Sequence, residues 1–284
     1  MKKEFKIIDE NRGIVQITTD DGRFYSQLTT DEATGIPTVK FYPSITTITA
    51  YWPKGDGFKK YLQNHTAEES EQILTTAGNR GSRIHAAIES FIKGDEIKHD
   101  AQFPDSDGNM AELSADEYRA LVKFAEWDAV TTPEYIATEK TVISKRYGFA
   151  GTLDCLARID GKLVLIDWKT GKGIYTSYFL QVAALRQAAV EEGLIKADEE
   201  CGTAILQVGM GTKIGWKWTD VPEMTKSGKA YFDLFLQTKT VWEEETSALT
   251  PRTLDLPLSV KMTRSTPTAS QPAGRTVKKE SVNK

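Results

Sequence analysis

The chain has 284 residues, of which 39% are hydrophobic, and a formal net charge of −4 at pH 7. This length and composition are typical of a globular protein with a substantial core, and the acidic balance argues against a protein that coats nucleic acid through charge alone. The two cysteines provide no disulfide framework and too few ligands for an all-cysteine iron–sulfur cluster, so we expect a reducing compartment and no such cluster. The N-terminus has no signal-peptide core and no run of residues approaches a membrane span, so we predict a soluble cytoplasmic protein with no membrane partner.

Residues 1–42 are predicted to form a small β-rich N-terminal extension. Short strands are expected at Phe5–Ile8, Gly13–Thr18 and Arg23–Gln27, with a turn at Asp20-Asp21-Gly22. We interpret this extension as a lid or an additional sheet that carries no chemistry of its own.

Two helices are predicted next. The first is short and begins at Ser44, a good N-cap, so capping and packing are the preferred roles of Ser44 and Thr46. The second begins at the capping box Thr66-Ala-Glu-Glu69 and extends to Phe91. Two glycines inside the second helix leave open whether it is continuous or kinked.

The second helix also carries polar residues of interest. His85 lies beside its apolar face, where residue type alone favours a hydrogen-bonded core histidine over a metal ligand. Arg80 and Arg83 lie on the same part of the helix. Their guanidinium groups are equally suited to binding phosphate and to plain solvation.

A polar loop is predicted over residues 94–113, followed by a helix that starts at the capping box Ser114-Ala-Asp-Glu117. The strand Tyr135–Ile143 comes next and contains Glu139. We interpret the Glu139 side chain as half of an ion pair with Lys140 or another neighbour, in preference to a metal ligand.

The segment Tyr147–Lys169 predicts a β-hairpin. Two apolar runs rich in β-branched residues flank Asp160-Gly161, a dipeptide typical of a two-residue turn. If these two residues form the loop, Ile159 pairs with Lys162, and the register of both strands follows by counting.

This register places Asp154 opposite Asp167, where facing Cβ atoms are about 4.5–5.5 Å apart, and puts Lys169 on the same face. Two facing carboxylates repel each other, so a divalent metal with hard oxygen ligands is expected between them. The ammonium group can then act on water or on charge that develops on a phosphate. The alternative is an exposed hairpin with two solvated acids and a salt-bridging lysine, but the apolar setting favours the metal site.

The hairpin is followed by a predicted turn and a helix from about Ser177 to Glu192. Tyr178 and Gln181 are three residues apart and project from one face near the start of this helix, toward the carboxyl end of the hairpin. A side-chain amide at that place can orient a water molecule or a phosphate.

The strands Thr203–Val208 and Ile214–Trp218 are predicted to form a second hairpin, about Met210-Gly211-Thr212, that extends the sheet. Its Trp216 and Trp218 share one face. Stacking on unpaired bases is one interpretation. Burial against a last helix, from about residue 224 to residue 245, is the preferred one.

Four motifs, in chain order, resemble the PD-(D/E)XK nuclease superfamily in its RecB-type exonuclease branch. They are Tyr42-Pro-Ser-Ile-Thr-Thr-Ile, Arg80-Gly-Ser-Arg-Ile-His85-Ala-Ala-Ile-Glu89, Gly151-Thr-Leu-Asp154 with Asp167-Trp-Lys-Thr-Gly171, and the helix with Tyr178 and Gln181. The resemblance covers about residues 40 to 190. Within the superfamily, the first two motifs are similar to those of mitochondrial genome maintenance exonucleases and their phage relatives. The family usually has a second tyrosine where this chain has Leu185, which puts an aromatic contact from that position in doubt.

The resemblance implies roles for individual residues. Mg²⁺ or Mn²⁺ would be held by Asp154 and Asp167, with His85 and the Trp168 carbonyl as further ligands. Lys169 would position the nucleophile, and Gln181 with Tyr178 would orient the nucleophile or the substrate. The residues implied in DNA contact are Arg80, Arg83, Ser44, Thr46, Thr170 and Lys172.

The implied fold is an α/β, restriction-endonuclease-like domain over residues 43–247, in which helices flank a central mixed β-sheet. The implied function is a metal-dependent DNA exonuclease of phage or bacterial replication, repair or recombination, acting on single-stranded DNA or duplex ends in the cytoplasm. Alternatives are an endonuclease on the same fold and a non-catalytic DNA-binding module, and a single-strand annealing or recombination protein is a candidate partner.

Residues 248–284 are predicted to be a disordered basic tail. Between residues 251 and 284 the net charge is +5, which leaves −9 for the rest of the chain.

Overall fold

A computed structural model describes residues 3–30, 35, 37–55, 57, 61, 63–171, 173–209 and 215–251. Three predicted features lie outside these described residues: Lys172, the turn at Met210-Gly211-Thr212 and the tail from residue 252 onward.

The N-terminal extension is a four-stranded antiparallel sheet in the order β1-β2-β3-β4. Its strands are β1 (Lys3–Asp9), β2 (Ile14–Thr19), β3 (Gly22–Thr30) and β4 (Pro37–Pro43). The sequence predicted the first three strands but not the fourth. The sheet packs against the central part of the protein through Tyr25, whose hydroxyl lies 3.0 Å from Thr152 Oγ1.

Helices α1 (Ile45–Thr49) and α2 (Ala67–Ile92) begin where their caps predict. Ser44 Oγ accepts a hydrogen bond from the backbone N–H of Thr47, and Thr66 forms a complete capping box with Glu69. Helix α2 continues through both of its glycines as a single helix, which answers the question that the sequence left open.

The region between α2 and the central sheet has more structure than the sequence predicted. A short hairpin of β5 (Gln102–Pro104) and β6 (Met110–Glu112) lies inside the predicted polar loop. Helix α3 (Ala115–Thr131) then starts at the capping box of Ser114, as predicted.

The centre of the protein is a five-stranded mixed sheet in the order β11-β10-β9-β8-β7. Its strands are β7 (Glu134–Ser144), β8 (Phe149–Ile159), β9 (Lys162–Lys169), β10 (Cys201–Val208) and β11 (Trp216–Asp220). Strands β9 and β10 are parallel, and the other neighbours are antiparallel. Helix α4 (Thr176–Glu191) forms the crossover between the two parallel strands.

The last helix, α5, spans Tyr231–Thr246 and starts later than predicted. The residues before it form a turn closed by an isolated bridge between Met224 and Ala230. Because the N-cap position is Ala230, which makes no side-chain cap, the true start of α5 has no capping signal in the sequence.

Helices cover both faces of the central sheet. Helices α1, α4 and α5 pack in one buried cluster, and α2 and α3 pack in another. Strand β9 shows the division, because Leu163 and Leu165 belong to the first cluster whereas Ile166 and Trp168 belong to the second. The predicted α/β architecture, a mixed sheet flanked by helices with a small antiparallel N-terminal sheet, is confirmed.

The predicted hairpin register is also confirmed over the regular ladder. Asp160 and Gly161 form the loop with φ of 50° and 76°, the left-handed values of a type I′ turn. Ile159 pairs with Lys162, and the same register continues to the pair Cys155–Ile166. Regular pairing of these two strands ends there, one position before the two aspartates.

Among the described residues, no helix combines the length and apolar character that crossing a membrane requires. The proposed domain boundaries at residues 42 and 247 stay predictions.

Candidate active site

Three acidic residues occupy one row across neighbouring strands β7, β8 and β9. The β7–β8 register places Glu139 opposite Asp154, and the β8–β9 register, extended by one pair, places Asp154 opposite Asp167. The β7–β8 ladder omits the Glu139–Asp154 pair and resumes at Lys140–Leu153, whereas the β8–β9 ladder ends at Cys155–Ile166. The sheet therefore opens between β8 and β9 at the row of acids, as expected where carboxylates face each other across a ladder.

The backbone of Glu139 is unusual for a strand residue. Its φ is +46°, in the left-handed region that residues with a Cβ rarely adopt. Such strain persists where the surrounding structure holds it, and it is often found at functional sites. The Glu139 carboxylate comes to 3.6 Å from His85 Nδ1, while Lys140 pairs with Asp9 at 3.8 Å. The predicted ion pair of Glu139 is therefore observed, but its partner is His85 and not Lys140.

His85 reaches the row of acids from α2. Its Nδ1 lies 3.4 Å from Asp154 Oδ1, and one ligand atom from each of His85, Glu139 and Asp154 lies within 4.8 Å of the others. Imidazole nitrogen and carboxylate oxygens at this spacing are a donor set suited to a divalent cation. The structure thus brings His85 and Asp154 together with Glu139, for which the sequence analysis considered metal binding only as the less favoured role.

Asp154 is fixed by its second oxygen. Oδ2 accepts a hydrogen bond of 2.7 Å from the backbone N–H of Trp168, just beyond the end of the regular ladder. The Trp168 side chain is buried against Phe124 and Trp127 of α3. The role of its carbonyl as a metal ligand stays a prediction.

Asp167 and Lys169 leave β9 on the same face, as the alternation of side chains predicts. Lys169 Nζ lies 2.6 Å from Asp167 Oδ2, and the Asp167 side chain is only 1% exposed. Lys169 Nζ also lies 4.8 Å from the centroid of the Tyr178 ring on α4, a cation–π contact. Gln181, one helical turn further along α4, is half-buried.

The electrostatics of the site follow from burial and close charges. Burial opposes ionisation of His85, but the carboxylates of Asp154 and Glu139 outweigh it and raise its pKa to about 10. Burial raises the pKa of Asp167 to about 6; the Asp154 charge adds to this and the Lys169 ammonium opposes it. Burial also raises the pKa of Glu139.

Asp154 and Lys169 remain charged despite their burial. For Asp154, burial alone would raise the pKa, but the imidazolium of His85 and the ammonium of Lys169 hold it below its usual value. For Lys169, burial is outweighed by Asp167 and Asp154, which raise its pKa. Among the described residues, His85 and Lys169 supply the positive charge that the row of acids requires.

The orphaned oxygens test whether a metal fits. Asp167 Oδ1 is buried and accepts no hydrogen bond from the described residues, and the buried Glu139 Oε1 has the 3.6 Å contact with His85 Nδ1 but no hydrogen bond. A buried carboxylate oxygen without a partner is costly, and a bound cation is a common explanation. The residues present therefore fit a divalent metal held by carboxylates.

The DNA-contact residues predicted at α1 are used locally. Ser44 is 2% exposed, and its Oγ accepts from Thr47 N at 3.0 Å and lies 2.8 Å from Thr46 Oγ1. Capping and packing of Ser44 are observed, whereas Thr46 is exposed and its contact with DNA stays a prediction.

The two predicted phosphate-binding arginines differ. Arg83 donates from Nε at 3.0 Å and from Nη2 at 2.5 Å to Oε1 of the buried Glu117, so its charge is used between α2 and α3. Plain solvation of Arg83 is therefore the wrong alternative, and its contact with DNA stays a prediction. Arg80 lines a cleft together with Thr170, which leaves both as candidates for DNA contact.

The tryptophans of β11 pack against a different helix from the one predicted. Trp218 stacks on Trp127 of α3, with ring centroids 6.0 Å apart and planes 14° from parallel. Trp218 is therefore half-buried against a helix, but that helix is α3 and not the last one, and stacking on unpaired bases stays a prediction.

The sequence also gave no indication of Gln207. This residue is 4% exposed at the end of β10, opposite Lys169 in the parallel register. Its Nε2 donates 3.0 Å to the carbonyl of Gly171 and so holds the loop that follows Lys169. A buried amide after a hydrophobic strand was the available signal, but only the parallel pairing shows which loop it holds.

Comparison with known proteins gives matches at the level of sequence and of structure. A sequence profile described as the PD-(D/E)XK nuclease superfamily matches residues 58–210, more than half of the chain. Human mitochondrial genome maintenance exonuclease 1 is 28% identical over 157 residues, which cover 53% of this chain and 39% of that protein. The chain therefore matches about two fifths of the length of this curated relative.

Two solved structures show more distant likeness. An alkaline exonuclease (LHK-Exo) from Laribacter hongkongensis aligns with a TM-score of 0.36 and 9% identity, covering 73% of this chain and 88% of that one. The structure of SSO0001 aligns with a TM-score of 0.28 and 13% identity, covering 48% of this chain and 61% of that one.

Proposed function

The chain belongs to the PD-(D/E)XK nuclease superfamily, and from that membership we propose that it is a divalent-metal-dependent deoxyribonuclease that hydrolyses phosphodiester bonds from DNA ends. The observation that carries the proposal is the row of Glu139, Asp154 and Asp167 across the opened sheet, with the Lys169 ammonium 2.6 Å from Asp167.

Asp154 and Asp167 would hold the metal, with Glu139 and the Trp168 carbonyl as further ligands, and His85 would join them on release of its imidazolium proton when the metal binds. A bound Mg²⁺ or Mn²⁺ would supply positive charge that neutralises the acids and polarises a substrate phosphate. The orphaned oxygens of Asp167 and Glu139 support this assignment.

Lys169 acts as a cation that faces the reacting phosphate. Its proton is held by the neighbouring carboxylates, and the Tyr178 ring packs 4.8 Å from Nζ and restricts the side chain. A fixed ammonium stabilises negative charge as it develops on the phosphate oxygens. Gln181, on the next turn of α4, orients the water or the substrate.

We further place this activity in phage or bacterial DNA replication, repair or recombination, in the cytoplasm, with a single-strand annealing or recombination protein as partner. The similarity to a mitochondrial genome maintenance exonuclease, an enzyme named for DNA upkeep, supports the general setting. Residues 43–247 form the proposed nuclease domain.

End-labelled single- and double-stranded DNA, linear and covalently closed, incubated with Mg²⁺, Mn²⁺ or EDTA, tests the proposal. We expect linear DNA to be shortened from its ends with either metal and to stay intact in EDTA. Cleavage of closed circles would favour an endonuclease, and cleavage in EDTA would contradict metal dependence. Lys169→Ala should lower the single-turnover rate by about 10²-fold or more, as expected when a preorganised charge is removed.

A further inference from the structure

A cleft of about 530 Å³ opens beside the candidate active site, between α2 and the loop that follows β9. Its polar lining includes His65, Gln72, Thr76, Arg80 and Thr170. Thr170 directly follows Lys169 in the chain, so the cleft and the row of acids share one wall.

Arg80 is the charged group that sets the character of the cleft. Its Nε and Nη2 are buried and have no hydrogen-bond partner among the described residues. The acidic residue that also lines the cleft is Glu69, whose carboxylate accepts from Thr66 N at 2.8 Å in the capping box of α2. A buried guanidinium with unused donors is costly unless an anion pairs with it.

Arg83, three residues further along the same helix, differs from Arg80 because its guanidinium has an internal partner. Its guanidinium is paired with Glu117, which is 2% exposed, and links α2 to α3. Arg80 has no such internal carboxylate among the described residues. The nearby Gly209 leaves space for its side chain, because a Cβ there would lie 3.6 Å from Arg80 Nη2 and 2.9 Å from Ala120 Cβ.

The spacing along α2 relates the cleft to the metal-binding row. Arg80 precedes His85 by five residues, which is about 7.5 Å along a helix axis at 1.5 Å per residue. A strand held at the row of acids could therefore reach the cleft with a phosphate close to the scissile bond.

We propose that this cleft is a second phosphate subsite, in which Arg80 binds a substrate phosphate that neighbours the scissile one. The planar fork of the guanidinium presents two donors to two phosphate oxygens, and Thr76, Gln72 and Thr170 offer neutral donors around it. Contacts of this kind fix the position of the strand without reading its sequence. The inference rests on the proposed nuclease function and adds to it a device that sets the position of the strand.

Fluorescence anisotropy in EDTA measures binding of labelled oligonucleotides while cleavage is off. We expect Arg80→Gln to weaken binding about tenfold and to reduce the salt slope of log K by about 0.7–0.9, the contribution of one phosphate contact. Arg80→Lys should recover part of the affinity, because a point charge replaces the fork. Arg119→Gln is the matched control, since Arg119 is 60% exposed and pairs with Asp116 on the surface of α3.

Oligonucleotides with one neutral methylphosphonate at successive positions locate the phosphate. Wild-type protein should lose affinity at one position near the cleaved bond, and Arg80→Gln should lose no further affinity at that position. If the partner is instead a terminal phosphate, Arg80→Gln should lose the preference for phosphorylated over hydroxyl ends. The subsite proposal would be overturned if Arg80→Gln bound DNA with wild-type affinity and salt slope and if no methylphosphonate position showed coupling to this substitution.

This result can be separated from failure of the nuclease proposal. If wild-type protein cleaves DNA and Arg80→Gln binds DNA as tightly as wild type, only the subsite proposal fails. If Arg80→Gln and one methylphosphonate show coupled losses of affinity in EDTA but wild-type protein cleaves nothing in Mg²⁺ or Mn²⁺, the subsite proposal stands and the nuclease proposal fails.

Discussion

Among the single residues of the candidate active site, Asp154 makes the contacts that connect the surrounding elements. One of its oxygens faces His85 on α2 and the other accepts the Trp168 N–H on β9, so the residue joins a helix to the edge of the opened ladder. Glu139 and Asp167 stand on either side of it in the row. The site is therefore a balance of three carboxylates against two cationic side chains, and single substitutions should change stability as well as activity.

Asp167→Asn is expected to abolish cleavage and to stabilise the protein in EDTA at pH 7. The pKa of Asp167 is raised to about 6 in the folded protein, above its ordinary 3.8, so folding is favoured by protonation and stability is lost as pH rises between these values. The asparagine side chain stays neutral and avoids that loss. Thermal melts should show a Tm a few degrees above wild type at pH 7, and the difference should shrink below pH 4.

Asp198→Asn, at an exposed position, is the control for the change in net charge. Addition of Mg²⁺ should raise the Tm of wild type and of this control by more than that of Asp167→Asn. Equal metal-induced shifts in all three proteins would exclude Asp167 as a ligand.

Glu139 allows a test of backbone strain at one position. Glu139→Gly and Glu139→Ala both remove the carboxylate, but only glycine accepts a φ of +46° without cost. We expect the glycine variant to be more stable by about 1 kcal/mol, within the range for strained residues. Chemical denaturation measures the difference.

The same pair of substitutions at Lys140, whose backbone is not left-handed, is the control. There the order should reverse, because glycine in a regular strand costs about 0.5–1 kcal/mol relative to alanine. The same order at both positions would remove the argument from strain.

Helix α2 is the element that brings the site together. It carries Arg80, Arg83 and His85 within six residues, and each meets a different neighbour: the cleft, α3 and the row of acids. The sequence predicted the start of α2 from its capping box, but it did not distinguish the two arginines, because their partners come from elements distant in the chain.

Breaking the Arg83–Glu117 pair should loosen α2 from α3. Arg83→Met leaves the nearly buried Glu117 carboxylate without its cation, which typically costs about 3–5 kcal/mol. The double variant Arg83→Met with Glu117→Gln should recover much of this loss. A double-mutant cycle of unfolding free energies measures the coupling, and DNA affinity of the double variant should match wild type.

A coupling energy near zero would show that the pair does not hold the two helices together. Weaker DNA binding by a stably folded double variant would return Arg83 to the DNA-contact residues.

Predictability differed among the elements for physical reasons. The Asp160-Gly161 turn fixed the β8–β9 register by itself, so Asp154 and Asp167 could be placed from the sequence. Glu139 could not be placed, since β7 reaches β8 through the longer connection of residues 145–148, which does not define a register by itself. Turn residues therefore determine the pairing register of two strands only when the loop between them is short.

The charge distribution is the property that belongs to the whole molecule. Residues 251–284 carry +5 against −9 for the remainder, so the acidic body that holds the candidate site is joined to a basic segment. The structure shows at which residue the chain can be truncated to remove that segment. Ala248 N–H donates to the Glu243 carbonyl at the end of α5, and Pro251 is buried, so residues 248–251 belong with the folded part.

Truncation after Pro251, rather than after Ser247, is therefore the informative variant. The sequence beyond residue 251 is rich in Pro, Ser, Thr and Lys and lacks apolar periodicity, so its removal should leave the Tm unchanged. DNA binding at low salt should weaken and its salt dependence should flatten, because each lost lysine or arginine is one less charge able to neutralise a phosphate. Truncation after Ser247 should lower the Tm, since it also removes the residues that close α5. A Tm several degrees lower after the Pro251 truncation would show that the tail is packed structure, and unchanged affinity and salt slope would assign its charge to a partner other than DNA.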